Sequence, residues 1–96
     1  MKVKFTSTSR RRLTQIKDKH SKKRSREIIG SVRKHVKHLE DYPELGKVEK
    51  YLEEEGKGHR SIVIDKLYKL IYLIAAPFIF ITDIFDVQQD PEKMKP

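Results

Sequence analysis

The 96 residues carry 22 Lys and Arg against 14 acids, a net charge of +8, and have room for one compact domain, residues 1–96. No cysteine is present, which excludes a disulfide framework and a thiolate metal site and fits a reducing cytoplasm. Pro77 breaks the longest apolar stretch, Leu70 to Ile81, well short of the roughly 20 residues a membrane helix needs, and Met1-Lys2-Val3-Lys4-Phe5 lacks a signal-peptide core, so the expected location is cytoplasmic.

Along the chain, Lys2-Val3-Lys4-Phe5-Thr6 alternates with period two and predicts a strand. Ser7, Thr8 and Ser9 each offer an N-cap for a first helix running to about Lys19. Its apolar stripe, Leu13 and Ile16 with His20 as a candidate third member, is narrow, and Arg10, Arg11, Arg12, Lys17 and Lys19 leave most of its circumference to water or a partner. A second helix is marked by Ile28, Ile29, Val32, Val36 and Leu39 on one face. Gly30 either lets the two helices approach closely or is tolerated at a cost of about 1 kcal/mol. Pro43 stops this helix near Tyr42, and Gly46 supplies a turn. Val48, Tyr51 and Leu52 fit either a short edge strand or a helical turn.

Three strands follow, at about 60–65, 68–75 and 78–87, with reversals at Asp65-Lys66 and Ala76-Pro77. Asp90-Pro91 ends the sheet and leaves a Lys-rich tail. The first strand must join the same sheet, since an isolated strand does not hold itself. The expected architecture is α+β, a two-layer β-α-α-β-β-β domain whose antiparallel sheet is packed by an N-terminal helical hairpin.

Charge is unevenly placed. Residues 1–38 hold fourteen Lys and Arg against Asp18 and Glu27, and residues 39–96 hold eight against twelve acids, giving +12 and −4. Such a basic half points to a polyanionic partner: RNA, DNA or an acidic protein.

This order of elements resembles the RelE/ParE superfamily of bacterial type II toxins, the plasmid-stabilisation toxins. The residues that carry the resemblance are Leu39-Glu40-Asp41-Tyr42-Pro43-Glu44-Leu45-Gly46, Arg60, Tyr68-Lys69-Leu70-Ile71-Tyr72, Ile84-Phe85-Asp86 and Asp90-Pro91. It implies a growth-inhibiting toxin neutralised by a cognate antitoxin. RelE-like members cut mRNA in the ribosome, and ParE-like members poison DNA gyrase.

Metal-free RNA cleavage needs a general base, a general acid and cationic stabilisation of the phosphate. Arg60 matches the strand arginine of RelE-like toxins, and Tyr68 and Tyr72, which share a strand face, are candidate proton donors, against the commoner role of packed residues with a hydrogen-bonded hydroxyl. Gln88 stands on the last strand where many relatives carry Arg, and glutamine neither carries charge nor exchanges a proton near neutral pH. The tail holds no His or Tyr. His59 neighbours Arg60 and would face the other side of a strand. His35 and His38 lie three apart on the second helix without a supporting carboxylate motif, so no metal or other cofactor is expected.

The expectation is therefore a ParE-like toxin acting on gyrase. The alternatives are a ribosome-dependent mRNA endoribonuclease of the same fold and a non-toxic nucleic-acid-binding protein. Arg10, Arg11, Arg12, Lys57 and Arg60 are the candidates for target or nucleic-acid contact by charge. Phe78 and Phe80, with Arg60, are the candidates for antitoxin contact, unless alternation turns the two phenylalanines under the helices.

Overall fold

The computed structural model describes all 96 residues. In chain order the elements are β1 (Lys2–Phe5), α1 (Ser7–Lys19), α2 (Lys22–Asp41), β2 (Lys47–Val48), a 3-10 helix (Lys50–Glu55), β3 (Arg60–Ile64), β4 (Tyr68–Ala75), β5 (Phe78–Asp86) and a 3-10 turn (Pro91–Lys93). The α+β two-layer reading holds, with two refinements. The undecided stretch after Gly46 is both a strand and a helical turn. The sheet is also mixed, in order β1-β5-β4-β3-β2, with β1 running parallel to β5. No hairpin joins those two strands, so nothing forces a reversal between them. The other pairs are antiparallel.

The cap of α1 sits slightly earlier than expected. Thr6, not Ser7 to Ser9, caps α1, its hydroxyl accepting the Ser9 N–H at 3.2 Å. Ser21 caps α2 by accepting the Arg24 N–H at 3.1 Å. Each satisfies a backbone donor that a helix start would otherwise leave orphaned.

Both helices cover one face of the sheet. Ile16 of α1 and Ile28, Val32 and Leu39 of α2 meet Ile64, Tyr68, Leu70, Tyr72, Ile79, Ile81 and Ile84 in the main core. Burying a side chain of this size contributes about 1.5–3 kcal/mol, which lets a narrow stripe hold a very polar helix. Gly30 is not a close-approach residue: a Cβ built there meets nothing within 4 Å.

The opposite face is partly covered too, which the sequence did not foretell. Leu52 from the 3-10 helix and Met94 from the tail enclose Ile71 and Phe85 in a second cluster. That is why β4 is apolar on both faces.

Candidate functional site

Four of the residues that carried the family resemblance, Pro43, Gly46, Arg60 and Tyr72, converge on a structural clasp. Tyr72 of β4 is fully buried, and its hydroxyl donates to the Pro43 carbonyl at 2.7 Å and accepts the Gly46 N–H at 2.8 Å. Arg60 pairs with Tyr72 across β3 and β4, and its guanidinium donates to the Gly46 carbonyl at 2.7 Å. Pro43, Gly46, Arg60 and Tyr72 thus lock the exit of α2 onto the sheet. Gly46 has no room for a side chain: a Cβ would lie 2.7 Å from the Ser61 carbonyl oxygen and 2.8 Å from the Tyr72 ring.

This placement changes the reading of Tyr72 and Arg60. Burial is the chief cause that raises the Tyr72 phenol above its ordinary value, against the lowering effect of the Gly46 N–H and Arg60. A sealed hydroxyl with both hydrogen bonds taken by backbone is not positioned to give a proton to a substrate. Arg60 is half-buried and engaged.

Gln88 lies elsewhere, exposed in the turn after β5, its N–H donated to Asp86 Oδ1 at 2.9 Å. Arg60 is level with Tyr72, and Asp86 is level with Tyr68, four residues away along β4. That is roughly 13 Å of strand at about 3.3 Å per residue. The three catalytic candidates, Arg60, Tyr72 and Gln88, therefore do not share one centre.

His59 is buried as well, 2% exposed, and neither ring nitrogen has a hydrogen-bond partner. Burial, reinforced by Lys57, pushes its imidazole below the ordinary value, while Glu55 opposes weakly. His35 Nδ1 lies 2.7 Å from the Ser31 carbonyl within its own helix, and no group of three His, Cys, Asp or Glu side chains gathers anywhere.

The charge candidates divide. Arg10, Arg11 and Lys57 are exposed. Arg12 instead turns inward, its Nε 3.0 Å from Asp83 Oδ1, with the Asp83 side chain wholly buried. Asp83 Oδ2 also accepts the Lys95 N–H at 3.0 Å, so this acid ties α1 and the tail to β5. Two further pairs escaped the sequence reading because their partners are remote in the chain. Lys19 reaches Asp86 at 2.8 Å, and His20 Nε2 meets the Tyr68 hydroxyl at 2.8 Å. Arg12, Lys19, Tyr68 and Asp86 line a small cleft between α1 and the end of β5.

Glu49, 3% exposed, is another acid the sequence hid. It accepts from Ser61 Oγ at 2.9 Å, Lys69 Nζ at 2.8 Å and the Tyr51 N–H at 3.1 Å. Burial raises its carboxyl, but these donors outweigh it and hold the group below its ordinary value.

Apolar side chains are exposed on several surfaces, among them Tyr42 and Met1 at one groove. Ile79 and Ile81 turn under the helices, so Phe78 and Phe80 fall on the other face, half-exposed, with rings 6.0 Å apart and Lys4 Nζ 4.2 Å from the Phe78 ring centre. Another apolar surface was not foreseen. Leu45, Val48, Tyr51 and Val63 are each at least half exposed around a groove of about 420 Å³. β2 is two residues long and covers β3 only at Arg60 and Ser61, so Ile62–Ile64 forms a sheet edge beside this groove. Exposed apolar residues at an open edge are a docking feature.

Comparison with protein-family models and with curated proteins finds no match. No helix is long and apolar enough to cross a membrane.

Proposed function

We propose that this chain is the toxin of a bacterial type II toxin–antitoxin pair of the RelE/ParE kind, and that it acts on DNA gyrase as ParE-like members do. The observation that carries the choice of branch is the scatter of the nuclease candidates. Tyr72 is sealed in the core, Arg60 clamps Gly46, and Gln88 lies in the turn beyond Asp86, which is itself roughly 13 Å along the sheet from Arg60. A ribonuclease needs its base, acid and cation around one phosphate. The strand, helix, helix, meander order supports the family reading, although fold by itself does not name a function. The antitoxin would cover the apolar edge groove at Leu45, Val48, Tyr51 and Val63 and the neighbouring sheet face with Phe78 and Phe80.

Induction of the chain alone in bacteria tests the reading. Growth arrest with accumulation of gyrase cleavage complexes is the expected result, with no new mRNA ends in primer extension. Unimpaired growth while the protein accumulates would sink the toxin reading and leave the nucleic-acid-binding one. New mRNA ends at ribosome-occupied codons would move the protein to the RelE-like branch.

A further inference from the structure

The exposed side of the helical hairpin carries a groove of about 470 Å³. Lys17 of α1 and Lys22, Arg26 and Arg33 of α2 line it, together with Ile29 and Gly30. On α2 the positions 22, 26, 30 and 33 are spaced by four, four and three, so they share one helix face. From Lys22 to Arg33 that face is about 16 Å long at 1.5 Å per residue. This matches about five base-pair steps of 3.4 Å.

Two features of the groove serve no contact within the fold. None of its four cations is within ion-pair distance of an acid; most of the 22 Lys and Arg share that state, but here four of them are gathered around one groove. Like charges gathered without counter-charge destabilise a compact chain. Gly30 weakens the middle of a helix relative to alanine, yet no neighbour requires it to be small. A side chain at Gly30 would project into the groove. An anionic occupant accounts for both features.

We propose that this groove binds the sugar–phosphate backbone of duplex DNA. Ile29 is its single apolar residue, so an acidic amphipathic peptide would find no row of anchors. No aromatic side chain lines it, so single strands and splayed RNA bases have no stacking platform. The wide major groove of B-form DNA admits a helix lying beside the bound strand, whereas that of A-form RNA is too narrow. The choice of DNA also rests on the gyrase reading, since that target holds duplex DNA.

The test is fluorescence anisotropy of the whole protein with a labelled DNA duplex of about 20 base pairs across a salt series. Four contacts predict a log–log salt slope of about −3.6. Replacing Arg26 and Arg33 together by alanine is expected to weaken binding about tenfold and flatten the slope by about two. Lys93→Ala with Lys95→Ala removes the same charge from the tail and is expected to leave the slope nearly unchanged. Gly30→Leu keeps every charge, fills the groove, and is expected to weaken binding; circular dichroism confirms that each variant is folded. Absent binding, equal weakening by the tail pair, wild-type affinity of Gly30→Leu, or tighter binding of single-stranded DNA or duplex RNA overturns the proposal. The assay contains no gyrase, so loss of the gyrase reading and loss of duplex binding are separately visible.

Discussion

At the level of single residues, Gly46 is fixed by contact rather than by backbone conformation. Its missing side chain lets the Ser61 carbonyl and the Tyr72 ring close over the end of α2. Gly46→Ala is expected to cost about 3 kcal/mol, because the obstructing atoms are backbone and a buried ring with little freedom to move. Urea denaturation reads this as a lowered midpoint with an unchanged slope. The β3–β4 turn is the converse case. Asp65 and Lys66 both adopt left-handed backbone, at φ 51° and 61°, where two central residues of such a turn favour glycine or asparagine. Asp65 also accepts a hydrogen bond from Ser31 Oγ at 3.1 Å, so its side chain is used. Lys66 makes no such bond, and Lys66→Gly is expected to stabilise the protein by about 1 kcal/mol. A melting temperature unchanged or lowered by that substitution would refute the argument.

Among the elements, α2 shows how a helix serves two masters. One stripe, Ile28, Val32 and Leu39, is buried in the main core, while the opposing positions hold unpaired cations around Gly30. Because a Cβ at Gly30 meets open space, Gly30→Ala is expected to raise stability by about 1 kcal/mol through helix propensity alone. Thermal unfolding followed at 222 nm measures it, and a destabilised variant would mean the helix needs glycine for packing after all. The elements differ in how readable they were. The stripes of α1 and α2 were legible because each repeats a single period, and β3 to β5 because runs rich in Ile, Phe and Tyr are bounded by turn residues. The run Lys47–Glu55 was not, since a two-residue strand and a 3-10 helix are shorter than any period. The direction of β1 was hidden because pairing partners 76 residues apart leave no local trace.

Over the whole molecule, acid attacks stability at three identifiable groups. His59, Glu49 and Asp86 all have folded-state values below their ordinary ones of 6.5, 4.5 and 3.8. Burial lowers His59, whereas for Glu49 and Asp86 hydrogen-bonding and charge partners, with Lys69 and Lys19 foremost, overcome burial. A group with a lowered folded value binds fewer protons when folded. Its stabilisation is full above the unfolded value and is lost as pH falls through the folded one. His59 therefore acts first, below pH 6.5, and the two carboxylates act below 4.5 and 3.8. The melting temperature is expected to fall from about pH 6.5 downward, and His59→Leu is expected to remove the part of that slope lying above about pH 5. An unchanged slope in that variant would exclude His59 as the cause. A net charge of +8 adds self-repulsion in the same direction as the carboxylates are neutralised.

What the sequence by itself determined is whatever depends on neighbours in the chain: the two helices, the three-strand meander, the strand at the start and the concentration of positive charge in residues 1–38. Periodicity and charge counts are local properties, and they survive without any knowledge of contacts. Tertiary structure alone decided which charges are free. Arg12 and Arg26 are alike in sequence, yet Arg12 is neutralised by Asp83, 71 positions away, and Arg26 faces an open groove. It also decided that Arg60 and Tyr72 serve the exit of α2, because a hydrogen bond to Gly46 depends on where the sheet carries each side chain. Residue type states what a group is able to do, and the partner brought to it by the fold states which of those things it does.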